Sequence, residues 1–150
     1  MSNAVFESMD PSITYQKGQA VLEMFENFVG EELFRDGVRN YINENEWGSA
    51  VAADLLENLS QSTGVDFHTA MGTFLDQQGV PDVSATPLGD GKVELGQSRF
   101  QYLDQDLDPG TPWQIPVVLK YSDGKQVREH RVMLTEPNEV IELPGGADPE

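Results

Sequence analysis

The chain contains no cysteine in 150 residues. That excludes a disulfide framework and any thiolate zinc site. Basic residues are also scarce, with 9 Lys and Arg against 26 Asp and Glu, a formal charge of −17. Nucleic-acid binding needs clustered cations to neutralise phosphates, so it is excluded as a function class. Anionic membrane surfaces are disfavoured for the same reason. No apolar run approaches the ~20 residues of a membrane helix, and the first residues do not read as a signal peptide. These absences favour a cytoplasmic protein. Histidine occurs only at His68 and His130, so there is no H-E-x-x-H pair on a helix face. Nucleophile elbows and phosphate-binding loops are missing too.

The acidic excess is spread along the chain. Residues 1–80 carry 13 acids and 3 bases, and residues 81–150 carry 13 acids and 6 bases. An even distribution reads as the solvated surface of a folded acidic protein rather than an interaction tail.

The apolar pattern changes its period once. Ile13, Ala20, Val21, Met24, Phe25 and Phe28 recur at helical steps, with Ser12 a candidate cap and Gly30 the stop. A second helix is expected from about Glu31 to Glu44, with Phe34, Val38, Tyr41 and Ile42 on its apolar face. Ser49 is placed to cap a third, carrying Ala52, Leu55, Leu56 and Leu59. Asp66 is placed to cap a fourth, carrying Phe67, Ala70, Met71, Phe74 and Leu75. After Gly79-Val80-Pro81 the signals are short strands and turns. Val83–Leu88 and Lys92–Leu95 flank Gly89-Asp90-Gly91. Ile115–Tyr121 and Gln126–Leu134 flank a turn at Asp123-Gly124. Val140, Ile141 and Leu143 make a last strand. The expected fold class is α+β: about four helices, then a partial antiparallel β-sandwich. The expected domains are residues 1–80 and 81–150, packed in a fixed arrangement across a short linker.

Several local motifs occur in order. Ile13-Thr14-Tyr15-Gln16-Lys17-Gly18 opens the first helix and leads to Gly30-Glu31-Glu32-Leu33-Phe34. Trp47-Gly48-Ser49-Ala50 and Asp54-Leu55 follow. Phe74 to Pro81 reads F-L-D-Q-Q-G-V-P, and the strands carry Gln97-Ser98-Arg99-Phe100 and Trp113-Gln114-Ile115-Pro116-Val117. This series resembles the aminopeptidase N family of zinc metallopeptidases from about Phe6 to Leu143. One departure is Phe74, where the family pattern usually has Trp.

The resemblance implies a hydrolase that removes amino-terminal residues from peptides with a bound zinc. It implies that Tyr15 is the catalytic tyrosine whose hydroxyl stabilises the oxyanion. Lys17 and Gly18 read as structural, Gly18 allowing a close helix approach. The zinc ligands, general base and amino-terminus clamp are expected to lie before residue 1, and the sandwich to continue past the last residue. The chain alone is therefore expected to bind no zinc and to be inactive, its partner being the remainder of the parent enzyme. The alternative is a stand-alone, non-catalytic interaction module. In either case an exposed helix face or open sheet edge would favour a homodimer.

Overall fold

The computed structural model describes residues 11–101, 110–122 and 125–145, with side chains from residue 15 onward. Four helices come first: α1 Pro11–Val29, α2 Glu31–Glu44, α3 Ala52–Thr63 and α4 Phe67–Leu75. Five strands follow: β1 Pro81–Gly89, β2 Lys92–Arg99, β3 Ile115–Ser122, β4 Val127–Leu134 and β5 Asn138–Glu142. All strand pairs are antiparallel, in a three-stranded sheet of order β1-β2-β5 and a two-stranded sheet of β3 and β4. The α+β class and the helices-then-sheets order are those expected.

The helix ends follow local chemistry. The helix α1 already includes Ser12, which the sequence placed at its start. At α3 the cap is Val51, not Ser49. Valine has no side-chain acceptor, so the stabilising contact comes from the third helical residue: the Asp54 carboxylate accepts the Val51 N–H at 2.9 Å. Gly64 ends α3 at φ 75, a left-handed position that suits a residue without Cβ. Asp66 caps α4 as expected, accepting from the Thr69 N–H at 3.0 Å and from its hydroxyl at 2.6 Å.

Packing selects which apolar residues are used. Phe25 and Phe67 are fully buried with their rings tilted at 44° and centroids 5.1 Å apart, while Phe74 meets Phe25 edge-on at 6.3 Å. On α2 the axis can approach α3 closely because Gly37 faces Leu59. A Cβ there would lie 2.9 Å from Leu59 Cδ2 and 3.1 Å from its Cα. The buried Asn58 ties the same pair of helices, donating to Glu44 Oε2 and to the Asp54 carbonyl, each at 3.0 Å. Ile42 and Leu75, assigned to the apolar stripes, are instead exposed.

In the sheets, Val93, Leu95 and Gln97 point inward from β2. The β4 strand lacks a clean alternation in sequence. Its register sets Leu134, Val132 and His130 opposite Ile115, Val117 and Leu119, which fixes its inward face. The turn residues Asp123 and Gly124 lie outside the described residues, as does the loop at 102–109. Helices and sheets share one core: α1 lies against β3, and Gln114 donates its N–H to Thr73 Oγ1 at 3.1 Å.

Candidate functional site

Tyr15 lies near the start of α1 and is 80% exposed. Its phenol has no hydrogen-bond partner among the described residues. The ring lines an open groove of ≈ 740 Å³ that continues past Gly18 and Leu22 to Glu23 and Glu26, with Phe34 of α2 on its wall. Phe34 and Leu22 pack against the core from the other side. Tyr15 is thus an accessible hydroxyl donor on a helix anchored by Val21 and Phe25. A group so placed can donate to a carbonyl oxygen brought against this face.

The neighbouring motif residues Lys17 and Gly18 follow on the same helix. Lys17 is half-buried. Gly18 meets nothing within 4 Å of where a Cβ would stand, so no described element makes the close approach expected of it.

The described residues do not fit a zinc site. His68 stands on α4 and His130 on β4. Among the described residues no three His, Asp or Glu side chains gather in a geometry that could hold a metal ion. No described helix is long and apolar enough to cross a membrane.

The motifs at Phe74–Pro81, Gln97–Phe100 and Trp113–Val117 converge on one joint between helices and sheets. Gln97 is nearly buried and crosses from β2 to the strand lead-in at Trp113. Its Oε1 accepts the Trp113 N–H at 2.8 Å, and its Nε2 donates to the Trp113 carbonyl at 2.9 Å and the Glu136 carbonyl at 3.1 Å. Arg99, two residues on, holds its guanidinium 5.2 Å from the Trp113 ring. It donates to the Gln78 carbonyl and, at 3.1 Å, to Gln77 Oε1. The segment leaving α4 is thereby pinned to β2 and to Trp113. Composition and spacing gave no contact between these residues. The signal available in sequence was a polar Gln97 in the inward register of Val93 and Leu95.

These motif residues lie within a stretch shared with known enzymes. Residues 2–74 match the Peptidase family M1 domain. The whole chain is similar to aminopeptidases from several sources. Aminopeptidase 2 of Candida albicans is 30% identical over 146 residues, which is 97% of this chain and 15% of that protein. Aminopeptidase N of Lactococcus lactis subsp. lactis is 30% identical over 149 residues, 94% of this chain and 17% of that protein. The chain belongs to peptidase family M1. A Probable M1 family aminopeptidase 1 of Encephalitozoon cuniculi is 36% identical over 117 residues, 78% of this M1 chain and 13% of that protein. The M1 chain therefore spans about 15% of the length of the curated relatives it matches.

Proposed function

We propose that these residues form part of an aminopeptidase that hydrolyses amino-terminal residues from peptides, and that Tyr15 is the catalytic group they contribute. The observation that carries this reading is the exposed Tyr15 phenol, without a partner among the described residues, inside the stretch matching the M1 domain. A zinc ion in such an enzyme activates water and polarises the substrate carbonyl. The step assigned to this chain is the one its own Tyr15 hydroxyl performs. As the carbonyl carbon is attacked, negative charge grows on its oxygen. The Tyr15 O–H donates to that oxygen and stabilises the charge most when it is fully developed. A phenol suits this because it stays neutral near pH 7 and keeps its proton.

In this reading residues 1–80 close the catalytic domain and residues 81–150 begin a β-sandwich domain. The joint at Gln97, Arg99 and Trp113 holds the two in register. The metal ligands, general base and amino-terminus clamp belong to other parts of the same enzyme, so the isolated chain does not turn over substrate.

The test compares two preparations on aminoacyl-aminomethylcoumarin substrates with zinc present. One is the 150-residue chain alone. The other is the full polypeptide that carries it. Turnover by the full polypeptide, lost on chelation, and none by the chain alone is the expected pattern. Turnover by the chain alone, suppressed by a chelator, overturns the inactivity of the isolated segment.

A further inference from the structure

Tyr15 is carried by the least buried part of α1. From Tyr15 to Ala20 the side chains are exposed or half-buried, and a Cβ at Gly18 would meet nothing within 4 Å. Among the described residues of α1, Val21 and Phe25 are the buried ones. Phe25 is fully buried and sits between two rings of α4. Phe67 lies 5.1 Å away with its plane tilted by 44°, and Phe74 lies 6.3 Å away at 88°. These two rings stand near opposite ends of α4. Tilted and edge-on contacts are directional, so the pair defines the orientation of the Phe25 ring as well as its depth. The seat is itself held. Asp66 caps the start of α4 through Thr69, and Arg99 donates to Gln77 and Gln78 just past its end.

We propose that Phe25 is a positioning residue for Tyr15, with Phe67 and Phe74 as its seat. This role rests on the catalytic reading of Tyr15. The helix works as a lever. With Val21 as the fulcrum, Phe25 lies four residues to one side and Tyr15 six to the other. At ~1.5 Å per residue the two arms are about 6 Å and 9 Å long. A shift of about 0.7 Å at Phe25 therefore reaches Tyr15 as about 1 Å. A displacement of about 1 Å at a reacting group can cost ~10²-fold in rate, even when its source is far from the chemistry. The Phe25 ring touches no substrate, being fully buried, and acts only through where it sets the Tyr15 hydroxyl. Leucine at this position keeps the apolar burial but offers no ring to Phe67 and Phe74, so α1 settles at a different tilt.

The test is a double-mutant cycle in the full polypeptide, read by steady-state kinetics on aminoacyl-aminomethylcoumarin. Phe25→Leu lowers kcat by about 10- to 100-fold and moves KM by no more than about a few fold. In a Tyr15→Phe background the same substitution changes kcat by less than about twofold, because the hydroxyl it would misplace is gone. Phe67→Leu, on the α4 side of the contact, gives the same pattern and decides the matter if Phe25→Leu does not fold. Leu95→Val, equally buried but on β2, lowers the melting temperature and leaves kcat unchanged. Thermal melts confirm that each variant is folded at the assay temperature. Equal losses of kcat in the two backgrounds, no loss in either, or a matching loss in Leu95→Val overturns the positioning role. Wild-type kcat in the Tyr15→Phe single variant overturns the catalytic reading instead, and is read without any Phe25 substitution.

Discussion

Replacing Gln97 with leucine tests whether the joint is held by its buried amide. The side chain makes three hydrogen bonds, to the Trp113 N–H, the Trp113 carbonyl and the Glu136 carbonyl. Leucine has a similar volume but no polar atom, so all three backbone groups lose a partner. A buried group left unpaired costs about 1–3 kcal/mol. The Glu136 end is only partly buried and counts for less, and leucine regains some apolar burial. The net loss is about 2–4 kcal/mol, a large share of the ~5–15 kcal/mol of a whole domain. Urea unfolding is the assay, followed by Trp113 fluorescence in a Trp47→Phe background. Trp47 is 96% exposed, so its removal leaves the buried reporter. With a slope near ~2 kcal/mol per molar urea, the midpoint falls by about 1–2 M. A shift below ~0.5 kcal/mol, the size of an ordinary surface substitution, refutes the reasoning. Gln97→Glu adds a pH signature. An ionised carboxylate there faces two carbonyl oxygens and is partly desolvated, so its folded-state pKa is raised. Stability is then closest to wild type below the unfolded value of about 4.3 and falls as pH rises through the folded value.

Two further predictions concern the helices. Gly37→Ala gains up to ~1 kcal/mol of helix propensity. The new Cβ would however press on the Leu59 backbone as well as its side chain. Overpacking costs about 1–3 kcal/mol and wins, so calorimetry should show a lower melting temperature. Asp66 is held below the ordinary aspartate value, first by the Thr69 hydroxyl bond and then by the Thr69 N–H bond. A depressed folded pKa gives stability that is present above the unfolded value of about 3.9 and lost as pH falls through the folded one. The melting-temperature gap between wild type and Asp66→Asn should therefore close in acid and open again toward neutral pH.

The helices and their order were legible because their apolar spacing, Gly30, Gly64 and Asp66 all act locally. The start of α3 was not, because Ser49 and Asp54 are both acceptors near the boundary and only the backbone path decides which one reaches a free N–H. Ile42 and Leu75 share the sequence period of their stripes. They are exposed because no described element covers that arc of the helix. Register within β4 was hidden by Arg128, Glu129 and Arg131, and pairing with β3 resolves it. At the candidate site, Tyr15 was found through its motif alone. Composition cannot distinguish an exposed tyrosine from a packed one. The Gln97–Trp113 and Arg99–Gln78 contacts join residues 16 and 21 positions apart, beyond what periodicity can see.

The contribution of Tyr15 is the central claim, and Tyr15→Phe in the full polypeptide tests it most directly. Phenylalanine keeps the ring and removes only the hydroxyl, which has no described partner in this chain, so folding should be unaffected. Steady-state kinetics on aminoacyl-aminomethylcoumarin should show kcat lowered by ~10²–10³, the loss typical of one oxyanion donor. KM should move by no more than about a few fold, since the interaction forms in the transition state rather than on binding. A variant with kcat within about twofold of wild type contradicts the account, because a donor to a developing oxyanion cannot be removed at so little cost.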